Sequence, residues 1–399
     1  MRKRKVKKTK PMFKKKRSAG RTALSVFLTV LLLLGIAFLG YSVGKPIMDF
    51  MRERPDRQAS TTTAPDVPKN EITTAATTPA PETTPVTTEP EPEPEPKNGI
   101  LFVALPQSED YNAVLDAAIK EATEKGCYGI ALELIRDGGV IGFNTKDERA
   151  VNVSAVYPLA ISDLSAAAKK ITDAGLLPYA RISALTDHIL SWTDKSICYL
   201  FENSTSTWLD NSRAAGGKPW ISAFSESARG YISGFVSEIS EAGFAGIIAG
   251  ELEFPPFRRS DLGYVGATVQ SADRYKALAE FSNALQETLG AAKSYAVEVD
   301  AQDIIAGNDE VLNDPSVLNC NTVYVRYDSA AVGTRLVRAD GTEVSYTGLG
   351  ESDKATVVFR SVAEELKDSG KTLIPAVSDE SLIPVLVGLG YDETMILIY

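Results

Sequence analysis

Seven carboxylates fall where apolar runs of this chain give out, and two of them, Glu251 and Glu253, lie within one stretch, FAGIIAGELEFP (244–255). Phe-Ala-Gly-Ile-Ile-Ala-Gly is small and apolar enough to form a strand buried on both faces, and Pro255-Pro256 stops it. The C-terminal end of such a strand is where barrel enzymes place their reacting groups. Two carboxyls in different surroundings, one kept protonated and one ionised, make a general acid and its charged partner. Glu133, Glu298, Asp300, Asp328 and Asp379 end other runs in the same way, and Arg181 and Arg326 are placed to orient a carboxylate or hold a ligand hydroxyl. Side chains alternate across a strand, so Glu251 and Glu253 share one face and Gly250 belongs to the other. With Gly250 pointing inward, Glu251 reaches the interior only if the strand bulges or ends there.

Other chemistries find little support. His188 is the only histidine, which rules out a zinc site built on several imidazoles. No G-x-S-x-G elbow accompanies it, and it reads as a hydrogen-bonded loop residue. There is no Walker loop and no G-x-G-x-x-G after a strand, so no nucleotide cofactor is expected. Cys127, Cys198 and Cys320 are too widely spaced for a metal motif. They read as three buried thiols, or as one bridge with an odd thiol left over.

The elements that must position the acids alternate over about 300 residues. Strand-like runs cover 99–105, 128–134, 176–182, 245–251, 294–300, 322–328, 372–378 and 394–399. Amphipathic helical patterns cover 111–125, 161–175, 227–243, 271–290 and 354–370, several of them closed by Gly. Eight strands alternating with helices predict an α/β fold, a (β/α)8 TIM-type barrel over 98–399. The eighth run reaches Tyr399, so the last helix is missing or replaced. The connection from about Ser183 to Glu226 is far longer than an ordinary βα loop and holds all three tryptophans, Trp192, Trp208 and Trp220. It rises from the face where barrels bind ligands. The indoles either stack on sugar rings there or form a small core for the loop itself.

The N-terminal part has a different texture. Residues 1–21 carry 12 Lys/Arg and no acid, which leaves 30 basic against 52 acidic residues beyond Arg21. So acidic a remainder argues against a nucleic-acid partner for the barrel. Residues 22–41 contain no charge and are long enough to cross a bilayer, so a transmembrane helix is expected over 22–43, with the basic arm in the cytoplasm. A cleaved signal peptide is the rival reading. Residues 44–97, rich in Thr, Pro and Glu, predict a disordered extracellular stalk ending in stiff EPEPEPEP. An anchor, a stalk and a barrel suit the outer face of a bacterial plasma membrane.

Four segments resemble a bacterial family of glycosyl-hydrolase-like TIM barrels: LELIRDGGVIGFNT (132–145), GLLPYARISALTD (175–187), GGKPWISAF (216–224) and FAGIIAGELEFP. The family's strand-four motif reads Phe-Asp-Glu-Ile-Gln-Phe-Asp-Tyr-Val-Arg-Phe-Pro. In a gapless match its central acid becomes Gly250, its Tyr becomes Glu251 and its Arg becomes Glu253. Ser222 stands for an Asp, and Arg136 is the nearest basic residue to an expected Lys. Arg181, Trp220, Phe254 and Pro255 keep the pattern. The resemblance implies a carbohydrate ligand and paired-carboxylate hydrolysis of glycosidic bonds. Three readings follow. One is a membrane-anchored glycosidase acting on a cell-envelope or environmental polysaccharide, with Glu251 or Glu253 paired with Glu133 or Glu298. The second is a glycan-binding barrel without turnover, and the third is an envelope scaffold for partner proteins that the sequence leaves unnamed. In the first two, Arg181, Trp192, Trp208, Trp220, Arg326 and Asp328 are the expected ligand contacts.

Overall fold

The computed structural model describes residues 98–257, 274–307 and 315–399, together with Val265 and Val269. The expected transmembrane helix (22–43), basic arm and stalk lie outside the described residues. Among the described residues no helix is long and apolar enough to cross a membrane.

Eight parallel strands close on themselves. In chain order the strands are β1 (Ile100–Val103), β2 (Gly129–Arg136), β3 (Val140–Phe143), β4 (Val156–Ile161), β5 (Leu177–Ser183), β6 (Gly246–Gly250), β7 (Ser294–Asp300), β8 (Thr322–Tyr327), β9 (Arg335–Val337), β10 (Glu343–Ser345), β11 (Thr372–Val377) and β12 (Leu397–Ile398). The barrel order is β1-β2-β5-β6-β7-β8-β11-β12, and β12 pairs back onto β1. Each of the eight expected runs is one of these strands. Helices α1 (Tyr111–Glu124), α3 (Leu164–Asp173), α4 (Glu226–Glu241), α5 (Arg274–Leu289) and α8 (Glu351–Glu365) lie at the five helical patterns. Asp110, Asp163 and Ser225 cap the first three of these by accepting from backbone N–H groups of the first turn.

Two additions escape the periodicity. An insertion, β3, α2 (Glu148–Asn152) and β4, follows β2; β3 runs antiparallel to the end of β2 and β4 parallel to β3. A small antiparallel pair, β9 with β10, precedes α8. Short helices α6 (Ala301–Ala306), α7 (Ser329–Val332) and α9 (Ile383–Gly388) complete the connections.

Strand parity separates two apolar cores. Ile130, Leu132, Ile247, Ala249, Val297 and Val323 face the helices. Ala131, Tyr179, Ile248, Ala296, Tyr324 and Ile374 fill the barrel interior. Large and small residues alternate around this interior: Tyr179 packs where Gly129 and Gly246 leave room, a Cβ at either approaching its ring within 3.2 Å. Above this plug the inward positions turn polar.

Candidate active site

Continuing the inward parity toward the C-terminal strand ends reaches Glu133 on β2, Arg181 on β5, Gly250 on β6, Glu298 on β7, Arg326 on β8 and Tyr399 just past β12. The charged ones, with Glu251, form one ion-pair network around Arg181, which is almost wholly buried. Its Nη2 donates to Glu251 Oε1 at 2.6 Å and to Glu298 Oε1 at 3.0 Å, and its Nη1 lies 3.8 Å from Glu133 Oε1. Arg326 adds contacts from β8: Nη1 to Glu298 at 3.4 Å and to Glu251 at 3.8 Å, and Nε to Asp300 at 2.5 Å. The Tyr399 hydroxyl donates to Glu298 Oε2.

Glu251 reaches this network through a backbone turn. Gly250 is the last residue of β6, and Glu251 takes a left-handed conformation, φ +46°, uncommon for a residue with a side chain. The ladder nevertheless continues: Ala184 N–H donates to the Gly250 carbonyl and Leu185 N–H to that of Glu251. The end of the strand, with its reversed φ, carries Glu251 from the outward parity of a regular strand into the interior. The space that a side chain at Gly250 would take is filled by the Arg181 guanidinium.

The electrostatics distinguish the acids. Burial raises the pKa of Glu251, and Arg181 opposes the shift. Its Oε2 is buried and has no hydrogen-bond partner. For Glu253, burial is reinforced by Asp303, Glu251 and Asp300, and together they push its carboxyl up to about 8. Burial also raises Glu298, but Arg181, Arg326 and Tyr399 outweigh it and hold that carboxylate below its ordinary value. Glu133 Oε2 accepts from Leu105 N–H at 2.9 Å and faces Arg136 Nε at 3.5 Å.

These groups open into a cleft of about 790 Å³, lined among others by Glu133, Arg181, Glu251, Glu253, Arg326 and Trp220. Glu298 lies beneath them, sealed under its arginines and Tyr399. Asp328 does not line this cleft; it caps α7 and faces a neighbouring one. The tryptophans divide. Trp220 lines the cleft, with its Nε1 donating to Asp210 at 3.1 Å. Trp208 is fully buried against Phe257 and Tyr199, which leaves no face for a sugar; it is the core of the loop. Trp192 is half-exposed under Arg213, off the cleft lining. Of the three, Trp220 alone lines the cleft, and it too is largely buried. His188 also lines the cleft, and its Nδ1 donates to the Pro219 carbonyl at 2.6 Å.

Tyr399 and Phe102 were not expected here. Both lie on the inward parity of strands the sequence reveals, Phe102 two residues after Ile100 and Tyr399 two after Leu397, so parity is the signal that finds them. Asp210 and Lys218 come from the long loop, where no period exists to read.

The model of one protein family, described as "Putative glycosyl hydrolase domain", matches residues 101–315, more than half of the chain. The chain belongs to that family. Its fold is similar to a hypothetical protein from Ruminiclostridium thermocellum, 15% identical over 49% of this chain and 96% of that one, TM-score 0.41. It is also similar to the glycoside hydrolase domain of PelA from Pseudomonas aeruginosa, 13% identical over 73% of this chain and 92% of that one, TM-score 0.40. A third is the chitobiase of Flavobacterium johnsoniae, 10% identical over 71% of this chain and 38% of that one, TM-score 0.45. Comparison with curated proteins gives no match.

Proposed function

We propose that this family member hydrolyses glycosidic bonds, with Glu253 as the general acid and Glu251 as its charged partner. The observation that carries the reading is their difference in one cleft. Burial and the neighbouring carboxylates push Glu253 up to about 8, while Glu251 is ion-paired to Arg181 at 2.6 Å and its other oxygen, buried, has no hydrogen-bond partner. A carboxyl protonated at neutral pH can donate to the oxygen of the leaving sugar as the bond breaks. The Glu251 carboxylate then faces the positive charge that develops on the sugar ring. Arg181 and Arg326 position it, and Glu298, Glu133 and Tyr399 hold the arginines in turn. Trp220, though largely buried, offers the ligand the part of its ring that lines the cleft wall.

A second reading, a glycan-binding barrel without turnover, is favoured by one feature: Arg181 contacts three carboxylates at once, occupying acids that a hydrolase would need free. Release of new reducing ends from a panel of polysaccharides and peptidoglycan separates the two. Hydrolysis abolished in Glu251→Gln and Glu253→Gln supports the acid pair. Saturable binding without release, weakened by Trp220→Ala, leaves only the binding module.

The same proposal includes the N-terminal part: a cytoplasmic arm (1–21), a membrane-spanning helix (22–43) and an extracellular stalk (44–97) presenting the barrel (98–399) to a cell-envelope or environmental polysaccharide. The support is compositional, an uncharged apolar run behind 12 basic residues and a Thr/Pro/Glu spacer after it. Protease accessibility of the barrel on intact cells tests it, and protection of the barrel would overturn the orientation.

A further inference from the structure

A second cleft, about 500 Å³, opens beside the first over the ends of β7, β8 and β11. The two share a wall: Arg326 and Tyr399 line both. Tyr399 packs tilted at 54° against Phe102, ring centroids 4.6 Å apart, so the seam carries aromatic surface as well as a guanidinium. The second volume falls within the range of about 300–1,000 Å³ usual for small-molecule sites, and none of the acid/base groups assigned above lines it.

We infer that the substrate is a glycan chain lying across the seam at Arg326 and Tyr399, with further sugar units in the second cleft, so that the bond cut is internal to a polymer. This rests on the hydrolase reading and adds the substrate's form. The charge of the second cleft restricts its class. Asp300, Asp328, Glu351 and Asp379 line it, and Arg326, the one cation among its described lining residues, is already matched by Asp300 and Glu298. Both Glu351 oxygens accept hydroxyl bonds, from Tyr327 at 2.7 Å and Ser329 at 2.8 Å, so that wall is fixed and negative. Such a cleft repels uronate- or phosphate-bearing chains and accepts neutral or amine-bearing ones.

The test is calorimetric binding by the purified full-length chain of three oligomer series, each from disaccharide to hexasaccharide. The series are N-acetylated chito-oligosaccharides, their de-N-acetylated forms, and oligogalacturonates. Affinity is expected to rise about tenfold or more with length in the first or second series and to be absent in the third. Ser378→Trp, a plug at an exposed position of the second cleft, should reduce hexasaccharide affinity to that of the disaccharide. Asp379→Lys tests the charge separately: it should weaken the amine-bearing series and spare the neutral one. Affinity independent of length, or indifferent to both variants, or greatest for oligogalacturonates, would overturn the inference, as would no binding in any series. Hydrolysis equally efficient on short and long chains would remove the second cleft and keep the hydrolase. Length-dependent binding without hydrolysis would do the reverse.

Discussion

A Cβ built on Gly250 would lie 2.4 Å from Arg181 Nη2, so the guanidinium occupies the place where the last residue of β6 would carry its side chain. The two positions are coupled. The bare glycine admits Arg181 to the axis of the barrel, and Arg181 then draws in the carboxylate of the next residue. The carboxylate that meets Arg181 at the end of β6 is thus that of Glu251, one residue after Gly250.

Gly250→Ala should therefore disturb more than it adds. The guanidinium is buried and held by Glu133, Glu251 and Glu298, so it has little freedom to yield. Overpacking of this kind costs about 1–3 kcal/mol, read as a shift in the denaturation midpoint. Any glycosidase activity should fall with it, because the Glu251 contact at 2.6 Å is the one that must lengthen.

Arg181→Met removes the cation and leaves buried carboxylates facing one another. Breaking a buried pair from one side costs about 3–5 kcal/mol. The sign of its pH dependence is distinctive. Without Arg181 the Glu251 and Glu298 carboxyls lose their main stabilising charge, and protonation relieves them. The deficit should be largest at neutral pH and shrink as pH falls, in parallel denaturation curves of variant and parent.

Glu253 gives the opposite dependence. Its folded pKa of about 8 lies above its ordinary 4.5, so the folded protein holds this proton more tightly than the unfolded chain does. The associated stability is full below the ordinary value and is lost as pH rises toward 8. Glu253→Gln, which cannot ionise, should match the parent at or below the ordinary value, exceed it increasingly as pH rises toward 8, and keep a constant lead above that. The parent's hydrolysis rate should decline through the same range, since a general acid works only while protonated. The variant should lose about 10²–10⁴-fold in rate at neutral pH. A parent profile flat across pH 8 would remove Glu253 from the acid role.

The barrel was legible in the sequence because its strands are buried on both sides and read as apolar runs, and parity then fixed which residues face inward. Parity also posed the problem of Glu251 correctly, since its inward turn needed the strand to end at Gly250. The φ of +46° that accomplishes it has no sequence signature, because glutamate rarely adopts it. The insertion β3-α2-β4 carries little periodic signal, because β3 is only four residues long and β4 puts Pro158 and Leu159 at the surface in place of a clean alternation. The long loop was recognised by its length, but which tryptophan reaches the cleft depends on contacts distant in sequence, such as Trp208 against Phe257.

That division of the tryptophans is open to measurement. Trp208 is fully buried, its ring tilted onto Phe257 at 4.6 Å and edge-on to Tyr199 at 6.3 Å. Trp208→Ala should cost about 3–5 kcal/mol, as truncation of a large buried aromatic does. It should weaken glycan binding only by loosening the loop. Trp220 is also largely buried, packed edge-on against His188 with its Nε1 donating to Asp210, but part of it lines the cleft. Trp220→Ala should therefore cost about 3–5 kcal/mol as well, and should lower glycan affinity further than Trp208→Ala does at a comparable loss of stability. Trp192, under Arg213 and off the lining, should matter to neither. Affinity lost equally on truncating Trp192 and Trp220 would mean that the ligand runs along the outer surface of the loop instead of through the cleft.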